Sequence, residues 1–148
     1  MTYWFTGQPG HGKTVLAKML KEYIEYNYSD KKVFHIDGDD LREILINKDY
    51  SRKGRENNIK TAQNIALYLN NNGYDVIVSL VAPYRELREE FKKRGDVTEI
   101  YVHTTEIRGR EEFHVEEYEE PLENFINLDT TEDCPNASLV YLLNCLNL

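Results

Sequence analysis

Eight residues near the start of the chain, Gly7-Gln8-Pro9-Gly10-His11-Gly12-Lys13-Thr14, follow the spacing G-x-x-x-x-G-K-[ST]. That spacing suits the holding of a phosphate chain. Its glycines let the backbone turn tightly, so that successive N–H groups point at phosphate oxygens. A helix starting just after the loop adds the positive end of its dipole. Lys13 can reach the β- and γ-phosphates of a nucleotide, and the Thr14 hydroxyl can ligate Mg²⁺. Further along stands an acidic pair, Asp37-Gly38-Asp39. A carboxylate beside a phosphate loop can orient and deprotonate an acceptor hydroxyl, or hold Mg²⁺ through water. Asp39 or Asp40 can also cap a following helix. Many nucleotide hydrolases end an apolar strand in Asp, whereas the apolar run Asp75–Ser79 ends in Ser. Phosphoryl transfer to a small acceptor is the chemistry that these residues favour.

Such groups need a scaffold, and the apolar pattern supplies one. Runs at Tyr3–Thr6, Val33–Ile36, Asp75–Ser79, Thr98–His103 and Phe125–Leu128 predict strands. Helices are predicted between them. Val15, Leu16, Met19, Leu20, Tyr23 and Ile24 share one helical face; Ile59, Ala62, Ile65, Ala66 and Leu69 share another, within residues 54–72. Shorter helices are predicted over 40–46, 85–94 and 137–146. This alternation implies an α/β fold, a parallel sheet flanked by helices, in one domain spanning 1–148. Strand C-termini in such a sheet line one crevice, which puts Asp37 beside the phosphate loop. Residues 104–123 lack apolar periodicity, and a connection of that length is expected to act as a lid.

Composition narrows the partners. The chain has 148 residues and a net charge of −8. That charge repels phosphate backbones and anionic lipid, so neither nucleic acid nor a membrane surface is expected as a partner. No run approaches the ~18 apolar residues of a spanning helix, and no leader pattern precedes Tyr3. Cys134 and Cys145 match no zinc or redox spacing and are expected as free thiols in a reducing cytoplasm. His35 and His103 fall in strands and are expected to be structural, and His11 is expected at the surface. No His/Cys cluster suggests a resident metal.

Beyond the phosphate loop the chain reads Asp37-Gly-Asp-Asp-Leu-Arg42, then Tyr50-Ser51 with Arg55, Asn58 and Ile59, then Ser79-Leu-Val-Ala-Pro-Tyr-Arg85. In order and spacing these blocks resemble those of the adenylylsulfate (APS) kinases: D-G-D-N-[IL]-R, F-S-x-x-x-R-x-E-N-I and S-x-x-S-P-Y-R. The resemblance spans about residues 2–105 and, more weakly, 113–130. It implies a P-loop NTPase fold with a five-stranded parallel sheet. It implies transfer of the γ-phosphoryl of ATP, with Mg²⁺, to the 3′-hydroxyl of APS, giving PAPS, by a homodimer. Lys13 and Asp37 then take the catalytic roles, with Asp37 activating the hydroxyl. Asp39 matches the second motif carboxylate, and Arg42 and Arg55 match the pair that binds phosphosulfate. Asn58 matches an adenosine contact. Val81, Ala82 and Pro83 match the stretch along APS. Tyr50 replaces a Phe that stacks on adenine, and Phe113 matches its opposite number.

The chain departs from the family pattern at Asn57, where Glu is usual, and at Ala82, where Ser is usual. Its lid is also short and acidic. Seven glutamates fall between Glu111 and Glu123, with Arg108 and Arg110 the only basic residues nearby. Glutamates facing a phosphate chain would repel it. They are expected to face solvent, or Arg108 and Arg110 must supply the closing charge. Two other functions use the same fold: a kinase acting on another nucleotide or small hydroxyl acceptor, and a non-catalytic nucleotide-binding regulator. Lys13, Thr14, Asp37, Arg42 and Arg55 together favour an enzyme.

Overall fold

A strand covered on both faces must bury every side chain, and β1 (Thr2–Thr6) does so along its whole length. In the computed structural model, which describes residues 1–148, β1 is the central strand. It pairs with β3 (Asp75–Ser79) on one side and β4 (Val97–His103) on the other; β2 (Val33–Asp37) and β5 (Phe125–Asp129) form the edges. The order β2-β3-β1-β4-β5 is parallel throughout. Alternate residues serve opposite faces. Tyr3, Phe5 and Ile77 pack with Leu16, Leu20 and Ile24 of α1 (Lys13–Asn27) and Leu142 of α5 (Pro135–Leu146). Trp4, Val76 and Val78 pack with Ile59, Ala62 and Ala66 of α3 (Arg52–Asn71) and Phe91 of α4 (Arg85–Arg94). None of the helices is long and apolar enough to cross a membrane.

Helix starts differ from the sequence pattern in a regular way. Helices α2 (Gly38–Leu45), α3 and α5 each begin two residues earlier than expected. Their first turns are polar and carry no periodicity, so caps set them instead. Asp37 accepts from the N–H of Asp39 at 3.2 Å, Ser51 accepts from that of Gly54 at 3.3 Å, and Pro135 opens α5. Val15 and Ile65, expected on buried faces, are exposed. Val15 borders the cavity described below.

One ion pair lies wholly inside. Arg88 of α4 and Glu99 of β4 are each 1% exposed, with Arg88 Nε donating to Glu99 Oε1 at 2.7 Å. Arg88 Nη1 donates to the Ala82 carbonyl at 2.6 Å, and Nη2 to the Glu119 carbonyl. Lys92 reaches the second Glu99 oxygen at 2.8 Å. Removing one member of such a buried pair strands the other, at a cost of about 3–5 kcal/mol. Glu99→Ala is therefore expected to lower the unfolding free energy by that order, read from the shift of the urea denaturation curve. Arg88→Met with Glu99→Leu should lose less than Glu99→Ala alone, read by the same denaturation curves.

Candidate active site

The phosphate loop is fixed by close backbone packing. A Cβ on Gly7, at φ +148°, would stand 2.1 Å from the Val102 carbonyl oxygen, so only glycine fits. Gly12 is left-handed and leads into α1, whose first residues are Lys13 and Thr14. Lys13 Nζ donates to the Gln8 carbonyl at 2.8 Å. Burial brings the Lys13 ammonium down to about 8, against the opposing pull of Asp39 and Asp37.

Asp37, at the end of β2, is the meeting point of the rim. Its Oδ1 accepts from the Thr14 hydroxyl at 2.8 Å and the Ser79 hydroxyl at 2.9 Å. Its Oδ2 accepts from the N–H groups of Asp39 and Asp40. Burial disfavours its charge, but the hydrogen bonds from Thr14, Ser79 and Asp40 outweigh burial and hold its pKa below the ordinary value. An ionised, well-bonded carboxylate orients a hydroxyl better than it strips its proton.

A cavity of about 810 Å³ opens at this rim. Lys13, Thr14, Asp37 and Asp39 form one side, with Pro9, Gly10 and Gly12 of the loop. Arg42, Tyr50, Arg55 and Asn58 also line the cavity, and Val81, Ala82 and Pro83 follow the end of β3. Phe113 borders the cavity too, with Arg110 5.6 Å from its ring. Tyr50 and Phe113 are 62% and 60% exposed, so both rings are open to stacking. Arg42 is already engaged. It donates to the Asp49 carbonyl at 3.0 Å and lies 4.3 Å over the Tyr50 ring, holding the loop before α3. Asn58 is 3% exposed, and its Oδ1 has no protein partner. Asn58 thus borders the cavity with one acceptor left unpaired.

Gly7, Gln8 and His11 of the loop do not line this space. The Gln8 side chain instead pairs with the backbone of Val115, donating from Nε2 and accepting at Oε1, both at 2.8 Å. His11 is 8% exposed, not at the surface as its position in the motif suggested, and packs edge-on against His114 with ring centres 5.0 Å apart. Burial, then the nearby His114, Lys13 and Arg108, lowers His11 to about 4, so it is neutral. Arg108 donates to the carbonyls of His11 and Thr130. The β4–β5 connection is thus fastened to the phosphate loop. Of its glutamates from Glu111 onward, only Glu112 borders the cavity. A second cavity of about 350 Å³ shares Gly10, Gly12 and Val15 with the first and is closed by Arg108, Thr130, Asp133 and Ser138. The Ser138 hydroxyl there is buried without a protein partner. No motif announced the Gln8 side chain or this second space, because their partners lie a hundred residues away.

A parallel 2-3-1-4-5 sheet, a phosphate loop after β1 and a capping carboxylate after β2 define a P-loop phosphotransferase. The chain belongs to the adenylylsulphate kinase family, whose pattern matches residues 1–136. It is 31% identical over 149 residues to the cytidine diphosphoramidate kinase of Campylobacter jejuni, an alignment covering 97% of this chain and 86% of that one. It is 38% identical over 104 residues to an adenylyl-sulfate kinase of a Picosynechococcus species, covering 69% of this chain and 58% of that relative. The solved structure of the Mycobacterium tuberculosis APS kinase with AMPPNP and APS shares the fold, with a TM-score of 0.83 at 19% identity, over 99% of this chain and 97% of that one.

The depressed Lys13 fixes a pH dependence. Only the charged amine attracts a phosphate chain, and the free protein loses that charge as pH rises through about 8. Calorimetric titration with a nucleoside triphosphate should give a flat Kd just below that pH. Above it, affinity should weaken about tenfold per pH unit. Lys13→Arg, which stays charged, should flatten the profile.

Proposed function

We propose that this chain phosphorylates the 3′-hydroxyl of a nucleoside 5′-anhydride with ATP, and that adenosine 5′-phosphosulfate is the acceptor, giving PAPS and ADP. One observation carries the reading: Asp37, bonded to Thr14 of the phosphate loop, shares a single cavity with Arg55 and an unsatisfied Asn58. The two cavities meet at the loop, which suits an in-line transfer with donor and acceptor on opposite sides of the γ-phosphoryl. The ATP base then lies against Arg108 and Ser138, and its phosphates lie on the loop amides and Lys13. The acceptor occupies the larger space. Arg55 binds its anionic 5′-group, Tyr50 and Phe113 stack on its base, and Asn58 Oδ1 receives the exocyclic amine. Asp37 holds the hydroxyl in line, so catalysis is positioning and electrostatics.

The chain offers no trio of His, Cys, Asp or Glu for a resident metal. Mg²⁺ carried in by a nucleotide takes one or two protein oxygens beside phosphate and water, and the Thr14 hydroxyl and Asp37 carboxylate stand 2.8 Å apart at the loop. Thr14 and Asp37 are the residues that would hold it. When bound, the ion neutralises charge on the phosphates.

A second acceptor has its own support. The cytidine diphosphoramidate kinase aligns through the short β4–β5 connection, whereas the alignment with the Picosynechococcus relative covers 69% of the chain. Cytosine carries an exocyclic amine, as adenine does, so Asn58 suits both. Labelled γ-phosphate transfer from ATP–Mg²⁺ to APS and to cytidine 5′-diphosphoramidate, run in parallel, separates the two readings. The expected outcome is PAPS, with the higher kcat/KM for APS. Lys13→Ala and Arg55→Ala should each lose most of the transfer. A preference for the cytidine acceptor would move the assignment to it, and ATP binding without transfer to either would favour a regulator.

A further inference from the structure

His35 lies two residues before Asp37, so both side chains leave β2 on the same face. In the neighbouring strand Ser79 sits in register with Asp37, and Ile77 with His35. The Ser79 hydroxyl bridges the two: its Oγ is 2.7 Å from His35 Nε2 and 2.9 Å from Asp37 Oδ1. The direction of this chain follows from the atoms. Asp37 is ionised and has no hydrogen to give. The single hydrogen of Ser79 therefore goes to Asp37, and the Ser79 oxygen accepts from His35, whose Nε2 must carry hydrogen. The half-buried imidazole ends a one-way relay of donors, His35 to Ser79 to Asp37.

We infer that His35 is a positioning residue for phosphoryl transfer, acting through Ser79 to hold the Asp37 carboxylate at the angle that the acceptor hydroxyl requires. The inference rests on the role proposed for Asp37 above. Thr14, the other donor to Oδ1, belongs to the phosphate loop; Ser79 borders the cavity from the end of β3, and His35 behind it does not. Without His35 the Ser79 hydroxyl has no donor fixing its rotation, and the carboxylate gains freedom. Small misplacements of reacting groups can cost up to about a hundredfold in rate.

Steady-state kinetics of the whole chain with ATP–Mg²⁺ and its preferred acceptor provide the test. His35→Leu is expected to lower kcat about tenfold with both KM values within about twofold, since nothing that touches either substrate changes. His35→Gln keeps an N–H donor and should hold kcat within about threefold of the wild type. Ser79→Ala should match His35→Leu, and the double variant should be no worse than either, because the two act as one unit. Unchanged kcat in His35→Leu, no rescue by glutamine, or losses that multiply in the double variant would each overturn the inference. Should His35→Leu fail to fold, His35→Val, a β-branched residue suited to a strand and equally without a donor, carries the same test, with the same tenfold loss of kcat expected. A wild type inactive on every acceptor overturns the parent reading along with this one; an active wild type indifferent to His35 overturns this one alone.

Discussion

Removing a guanidinium from water costs several kcal/mol unless the interior satisfies it from every side. Arg88 meets that demand with partners drawn from segments far apart in sequence: Glu99 in β4, the Ala82 carbonyl beyond β3 and the Glu119 carbonyl in the β4–β5 connection. Tyr118 covers it, with its ring centre 5.5 Å from the guanidinium carbon. Two of these segments shape the active cavity or its roof. Ala82 sits at φ 43°, in a region L-residues seldom occupy, and its carbonyl is held there by Arg88 and approached by Thr6. The cavity wall thus inherits its shape from a charge that touches no substrate.

Asp37 shows how one residue ties the fold to the candidate site. Its Oδ2 caps α2, and its Oδ1 gathers two hydroxyls from the loop and the sheet. Every bond that fixes the carboxylate also makes it a weaker base. That combination suits a reaction in which the leaving phosphate, not the attacking hydroxyl, carries most of the charge, since a loose transition state asks for alignment more than for proton removal.

Much of the fold and site is legible in the sequence, and particular residues show why. The strands are legible because a central strand must be apolar along its length, as Tyr3-Trp4-Phe5 is. The phosphate loop and Asp37-Gly38-Asp39 were found because their chemistry is tied to local spacing. Arg42, Tyr50, Arg55, Asn58 and Phe113 were named through the resemblance, and they do line one space. Periodicity reports which face is buried, not which group meets which. Gln8 with Val115 and His35 with Ser79 are therefore silent in the sequence. His11 was placed on the surface by its motif position, but His114 covers it, a contact between residues 103 positions apart that no local pattern encodes. Charge counting made the connection look hostile to phosphate; the local turns of its backbone leave only Glu112 beside the cavity.

The connection between β4 and β5 has a consequence for how free energy is distributed over a catalytic cycle. A long mobile flap must be ordered each time substrate arrives, at roughly 1–2 kcal/mol for every residue whose backbone is fixed. Here Gln8, His11 and the Thr130 carbonyl already hold Val115, His114 and Arg108 in place. Where these contacts hold through turnover, that entropy is lost once, when the chain folds. A roof of so few residues then gives up adaptability to acceptors of different shape and keeps, for the transfer itself, binding energy that a larger flap would consume in closing.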